Sequence, residues 1–337
     1  MSEHEGGRGR PPFPTAGHRQ SLRAPALRPG DVVGVVAPAG PVDREALGRG
    51  LRLLEEWGLR PVPGDSVHAS RGYLAGPDAV RAADVNRFLR DPGVKAVVAA
   101  RGGYGTLRIL GSLDLAVLRR QPKILAGFSD LTALLLAAWE EVGLVTFHGP
   151  MLEVRDPSGM PAYNREGLRR ALFGEAFPGE IPWPDAPDAP QPVTIRPGVA
   201  RGRLVGGNLE VFTRLVGTPW HPRTAGAILV LEDVDEAPYR VDRMLVHLRL
   251  AGLLDRVAGV VFGDSPSCMT APAGRPSLTL LEVLEDHLAP LGVPVLYGFP
   301  CGHSRYRATL PIGAMAELDA GAGRLRVLEP ATAPAGA

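Results

Sequence analysis

Residues 123–139 read KILAGFSDLTALLLAAW, and one serine, Ser129, divides the stretch in two. Ile124, Leu125 and Ala126 form a short apolar run of the kind that makes a buried strand, and Leu131 opens a longer apolar run of helical character. Ser129 therefore stands at an abrupt strand-to-helix turn, just after Gly127 and Phe128. Such a turn lifts a hydroxyl clear of the sheet edge and aims backbone N–H groups at whatever the hydroxyl attacks. The usual nucleophile elbow reads Gly-x-Ser-x-Gly. Here Asp130 and Leu131 follow the serine, so the turn is elbow-like only. A serine ahead of a helix is more often an N-cap, and a nucleophile needs a base and an acid as well.

Histidine has the pKa for the base. Of eight histidines, His4 and His18 fall in the N-terminal arm, His68 and His221 flank loops, and His247 and His287 sit in helical patterns. His148 and His303 are the loop histidines beside strand ends, and position alone leaves the base open between them. The acid that orients the base is sought where the apolar run Ile228 to Leu231 ends in Glu232 and Asp233. Asp235 and Glu236, just behind, fit a charged loop before the next helix. Glu232, Asp233 and His303 would nominally bind a divalent ion. However, no His-Glu-x-x-His is present, and Cys268 and Cys301 lack ligand spacing. The loop Arg101-Gly102-Gly103-Tyr104-Gly105 lacks both the P-loop pattern and the full dinucleotide pattern. Its amides suit an oxyanion as well as a phosphate. Neither a metal nor a cofactor is expected.

The elements that must hold these groups alternate strand and helix. Val32 to Val36 is a buried strand running into the loop at Pro38 to Pro41. Leu47, Leu51, Leu54 and Trp57 follow at helical spacing, and a second helix covers about 77–90. Strands come next at 94–100, at 124–126 and at 144–147, the last ending at His148. This rhythm predicts a mostly parallel sheet with helices on both faces, whose functional groups lie at the carboxyl ends of strands. Residues 177–198 are Pro-rich and read as a semi-rigid link. A second α/β domain is expected over 199–330, with strands near 227–231, 257–262 and 293–297 and short strands after Pro300. The first domain is then 29–176, residues 1–28 read as a disordered extension, and 331–337 as a soft tail.

The composition excludes other classes. The chain has 337 residues with Lys+Arg 37 against Asp+Glu 36, so no nucleic-acid partner is called for. Apolar runs are too short for a bilayer, the N-terminus has no secretory apolar core, and two cysteines fit a reducing compartment. A cytoplasmic location is expected.

Taken together, several segments resemble the LD-carboxypeptidase family, the serine peptidases that include muramoyl-tetrapeptide carboxypeptidases and microcin C immunity proteins. The matching stretches are Val35 to Gly40, Arg101 to Gly105, Gly127 to Thr132, His148 to Met151, Gly206 to Leu209, Leu231 to Glu236, and Gly302-His303. They occur in the expected order over roughly 30–328. Val205 departs from the tryptophan many members carry there.

The resemblance implies a Ser–His–Glu triad of Ser129, His303 and Glu232, and so prefers His303 to His148. It implies an oxyanion hole from the amides of Asp130 and Gly103, rather than Gly102. It implies a flavodoxin- or Rossmann-like N-terminal domain, an interdomain active site and a homodimer. The implied reaction removes the terminal D-alanine from a murein tetrapeptide during cell-wall recycling. Arg101 and Gly102 are the substrate-binding candidates, with Arg101 the one placed by its charge to grip the terminal carboxylate. The alternatives are an immunity-type amidase acting on an aminoacyl-nucleotide analogue, and a non-enzymatic small-peptide-binding protein. Cys301 beside His303 suggests a thiol nucleophile, which is discounted because two positions apart on a loop give no assured contact.

Overall fold

A computed structural model describes residues 21–268 and 276–335. The N-terminal half alternates β1 (Val32–Val36), α1 (Arg44–Glu56), β2 (Arg60–Pro63), α2 (Asp78–Arg90), β3 (Val94–Ala99), α3 (Thr106–Ile109), β4 (Ile124–Gly127), α4 (Thr132–Val142), β5 (Thr146–His148) and α5 (Ala162–Leu172). β1, β3 and β4 are apolar almost throughout because helices cover both faces of the sheet, so no alternation is possible. α1 starts where the Asp43 side chain accepts the Ala46 amide at 2.8 Å, and it turns Leu47, Leu53 and Leu54 inward. β1 to β5 are parallel, in the order β2-β1-β3-β4-β5.

The C-terminal half holds β6 (Gly179–Glu180), β7 (Val193–Arg196), β8 (Val199–Asn208), α6 (Leu209–Arg214), β9 (Ile228–Glu232), α7 (Pro238–Leu250) and β10 (Gly259–Gly263). After these come α8 (Leu280–Leu288), β11 (Val295–Phe299), β12 (Leu310–Ile312), β13 (Met315–Asp319) and β14 (Arg324–Val327). β8, β9, β10 and β11 run parallel, joined by crossovers through α6, α7 and α8. β13, β14 and β6 extend one edge in antiparallel fashion, and β7 closes the other. The chain is thus two α/β units with mixed parallel and antiparallel sheets.

Three boundaries differ from the sequence expectation. The Pro-rich stretch 177–198 is part of the second sheet and not a link. β6 pairs with β14 and β7 with β11, Ile181 is buried, and the Trp183 indole donates to the Gly323 carbonyl at 2.7 Å. Prolines are tolerated there because both strands lie at sheet edges. Residues 21–28, expected as part of a disordered extension, pack against the body. Residues 1–20 lie outside the described residues, but Leu22 bridges Leu144, and Ala24, Ala26 and Leu27 are buried. The Ala-Pro-Ala-Leu composition reads as loop although its few apolar side chains all find the core. The tail is also fixed as far as it is described, with Ala331 and Thr332 buried and Ala333 bridging Pro25.

The two units are stitched together as well. β12, from the C-terminal region, leaves its own sheet and pairs antiparallel with β5, so that Leu310 faces His148. The segment that follows His303 is therefore fixed to the sheet that ends near Ser129.

This packing gives a test of the arm. Leu27 is 2% exposed, and Leu27→Ala should cost about 2–4 kcal/mol in urea unfolding. A change below about 0.5 kcal/mol would mean that the arm is not part of the cooperative unit.

Candidate active site

β4 ends at Gly127, Phe128 continues extended, and Ser129 then turns to φ 63°. A left-handed conformation at a non-glycine residue is strained and needs surrounding structure to hold it. Ser129 to Leu131 form one 3₁₀ turn that feeds into α4. The expected elbow-like turn is therefore present without its second glycine. The glycine it requires comes from another strand end: a Cβ on Gly102 would lie 2.9 Å from the Ser129 Cβ.

His303 follows β11, and its ring bridges the two units. Nε2 lies 2.9 Å from the Ser129 hydroxyl, and Nδ1 lies 2.7 Å from Glu232 Oε2. Glu232 is the last residue of β9 and fully buried. Burial alone would push its carboxyl up. The hydrogen bond and charge of His303, aided by the Asn208 side chain, outweigh that and leave it lowered, hence ionised. Gly302, at φ +91°, has no room for a side chain, because a Cβ would run into Glu232 Oε2.

Asp233, the rival acid, has different work. It accepts the Asn208 side-chain amide and the Glu210 backbone amide, each at 3.0 Å, and the Val234 amide at 2.9 Å. It thus ties the ends of β8 and β9 to the first turn of α6. Asn208 caps that helix through the Val211 amide, and its own N–H donates to the Thr132 hydroxyl at 2.9 Å. That last bond joins α4, directly behind Ser129, to the strand beside Glu232. In the sequence Asn208 stands out only as part of the segment Gly206 to Leu209, and its helix-capping residue type is the available signal.

The remaining candidates are placed as follows. Gly103 and Asp130 flank the serine through Gly102 and the 3₁₀ turn, and no acceptor among the described residues takes either backbone N–H. The Asp130 side chain points away and accepts the Thr106 amide at 2.7 Å. Arg101 is already occupied, donating to the Pro41 carbonyl at 2.5 Å and pairing with Glu153 at 3.4 Å. Cys301 is buried, and that burial holds its thiol protonated, well above its usual pKa, so it is no thiolate nucleophile. Among the described residues no group of three or more His, Cys, Asp or Glu is placed to hold a metal ion, and no helix is long and apolar enough to cross a membrane.

His148 does not reach Ser129. It lies at the end of β5, 1% exposed, and neither ring nitrogen has a hydrogen-bond partner among the described residues. Its ring meets the Phe128 edge at 6.1 Å, and Phe128 in turn lies 4.8 Å from the His303 ring. Burial lowers the His148 pKa from 6.5 to about 4, so the ring is neutral at pH 7.

That shift makes a pH prediction. The unfolded chain takes up the His148 proton near 6.5 and the folded chain only near 4, so stability is full above pH 6.5 and falls as pH drops toward 4. Between pH 7 and pH 5 this residue alone should remove about 2 kcal/mol. His148→Leu should lose correspondingly less stability over that interval in urea unfolding. Equal losses in both proteins would show that another group carries the acid sensitivity.

Comparison with known proteins agrees with the geometry. Residues 33–149 match the model of the LD-carboxypeptidase N-terminal domain, and residues 201–318 match that of the LD-carboxypeptidase C-terminal domain. The chain is 41% identical over 294 residues to a probable murein peptide carboxypeptidase of Bacillus subtilis, covering 87% of this chain and 90% of that one. It is similar in structure to the microcin C7 self-immunity protein in complex with aspartyl sulfamoyl adenosine. The TM-score there is 0.83 at 26% identity, over 93% of this chain and 100% of that one. A muramoyltetrapeptide carboxypeptidase from Oxalobacter formigenes aligns with a TM-score of 0.74 at 29% identity, over 88% and 97%. The chain belongs to the LD-carboxypeptidase family, and the contact between Ser129 and His303 is a serine-hydrolase active site typical of that family.

Proposed function

We propose that Ser129 is the nucleophile, His303 the base and Glu232 the orienting acid of a hydrolase that cleaves a small amide. The observation that carries this is the unbroken hydrogen-bond line from Glu232 through His303 to Ser129. His303 takes the hydroxyl proton at Nε2 as Ser129 attacks the carbonyl carbon. Glu232 holds the ring through Nδ1 and stabilises the imidazolium. The Gly103 and Asp130 amides take the oxyanion. His303 then returns the proton to the leaving amine, and water releases the acyl group by the same steps in reverse order.

For the substrate, the reading we favour is an aminoacyl-nucleotide analogue such as the aspartyl sulfamoyl adenosine bound by the microcin C7 self-immunity protein. The structural likeness is greater on that side, with a TM-score of 0.83 against 0.74. A local feature supports it as well. Tyr73 and Tyr104, 67% and 49% exposed, meet edge to face at 5.7 Å beside the Gly102–Gly103 loop, where a base could stack. The second reading, release of D-alanine from a murein tetrapeptide, is favoured by the 41% identity to the Bacillus subtilis relative. The order β2-β1-β3-β4-β5 supports the flavodoxin-like reading of the N-terminal unit. A homodimer and a cytoplasmic location stay proposals drawn from the family resemblance and the composition.

Three measurements test this. Ser129→Ala should lower kcat by at least ~10³-fold with the fold intact, since nucleophile and base act as a unit. Glu232→Gln should cost orders of magnitude, while Asp233→Asn should act mainly on stability. A larger loss of kcat/KM in Asp233→Asn at unchanged stability would reverse that assignment. Mass-spectrometric turnover of aspartyl sulfamoyl adenosine and of a murein tetrapeptide, side by side, should show higher kcat/KM for the nucleotide. The opposite order would establish the murein reading.

A further inference from the structure

Among the described residues Arg307 is the arginine packed against Phe128, the triad's own aromatic neighbour. Its guanidinium carbon lies 5.2 Å from the Phe128 ring centre, and that ring lies 4.8 Å from His303. Nε donates to the Gly302 carbonyl at 3.1 Å, and the backbone N–H donates to Asn164 Oδ1 at 2.8 Å. Both ends of the residue are therefore fixed. No acceptor among the described residues bonds either terminal nitrogen, and no carboxylate pairs with the group. The Glu232 charge reaches it, but Oε2 of that carboxylate is bonded to His303.

A half-buried guanidinium with no ion-pair partner is costly unless an anion completes it. Here desolvation is strong enough to lower the pKa of the group. The guanidinium lies over the Phe128 ring and its Nε is bonded to the Gly302 carbonyl, which leaves the two terminal nitrogens as a fork suited to a carboxylate. Arg101 lacks this freedom, since the Pro41 carbonyl and Glu153 already hold it.

We propose that Arg307 grips a carboxylate of the substrate a few bonds from the scissile carbonyl, and so selects acidic substrates over their amides. This rests on the serine-hydrolase reading above. It names the acidic group as the specificity element whether that group sits on the acyl or on the leaving side.

The test uses phosphonate probes that label Ser129, with a carboxylate on one side of phosphorus or the other, each paired with its carboxamide twin. In the wild-type chain one acid probe should label at least ~10-fold faster than its twin, the scale of a charged hydrogen-bond pair. In Arg307→Gln that advantage should vanish while the twin labels at the wild-type rate. Arg307→Lys should restore part of it. An advantage kept in Arg307→Gln overturns the proposal. So does equal slowing of both probes, which is the mark of a merely structural role, and so does the absence of any acid advantage in the wild type. Failure of every probe, carboxamides included, to label Ser129 would instead sink the serine-hydrolase reading itself.

Discussion

Everything at this site depends on one imidazole ring held from both sides. His303 must keep 2.9 Å to a hydroxyl on one sheet and 2.7 Å to a carboxylate on the other. A geometry of that kind fails if the sheets shift by an ångström. The fold answers with ties across the boundary. β12 leaves the C-terminal region to pair with β5, immediately after the loop that carries His303. The Asn208 amide donates to Thr132, joining the strand beside Glu232 to the helix behind Ser129. Near the termini, Leu22 and Ala333 bridge Leu144 and Pro25. The ring is thus held by a frame that fixes both sheets, and the loop that carries it is tied down through Arg307 and Asn164.

Close approach is the second constraint, and it explains where glycine is compulsory. Two backbone segments must come nearer to the triad than any side chain allows. At Gly102 a methyl would press on Ser129, and at Gly302 it would strike the carboxylate that orients His303. The strain at Ser129, with φ 63°, belongs to the same economy of space. The elbow turns sharply, and its second glycine is supplied by a neighbouring strand end instead of by the residue two positions on. The motif Gly-x-Ser-x-Gly is one sequence solution to this crowding, and the fold supplies another.

Much of this was legible in the sequence because period and punctuation are local. The strands β1, β3, β4 and β9 announce themselves as short apolar runs ended by loops, and Ser129, Glu232 and His148 stand at such ends. What the sequence could not give was proximity. His148 and His303 share a residue type and a strand-end position, and residue pattern alone could not rank them; the family resemblance preferred His303. The burial that neutralises His148 appears only when β12 covers β5. Edge strands were hidden for a related reason. Residues 177–198 look like a linker because prolines and weak alternation are what sheet edges tolerate. Arg307 was missed because nothing in Ser304-Arg305-Tyr306-Arg307 separates it from Arg305, which pairs with Asp188 at the surface.

Phe128 connects these groups physically. It directly precedes the nucleophile, and its ring touches His148 and His303 while Arg307 stacks on it. A neutral ring, a base that gains a proton during the reaction and a permanent cation thus surround one apolar plate. That arrangement leaves Arg307 without a carboxylate partner among the described residues, while Glu232 Oε2 bonds the base. It holds the positive charge ready for an incoming anion while leaving the Glu232 carboxylate to the base.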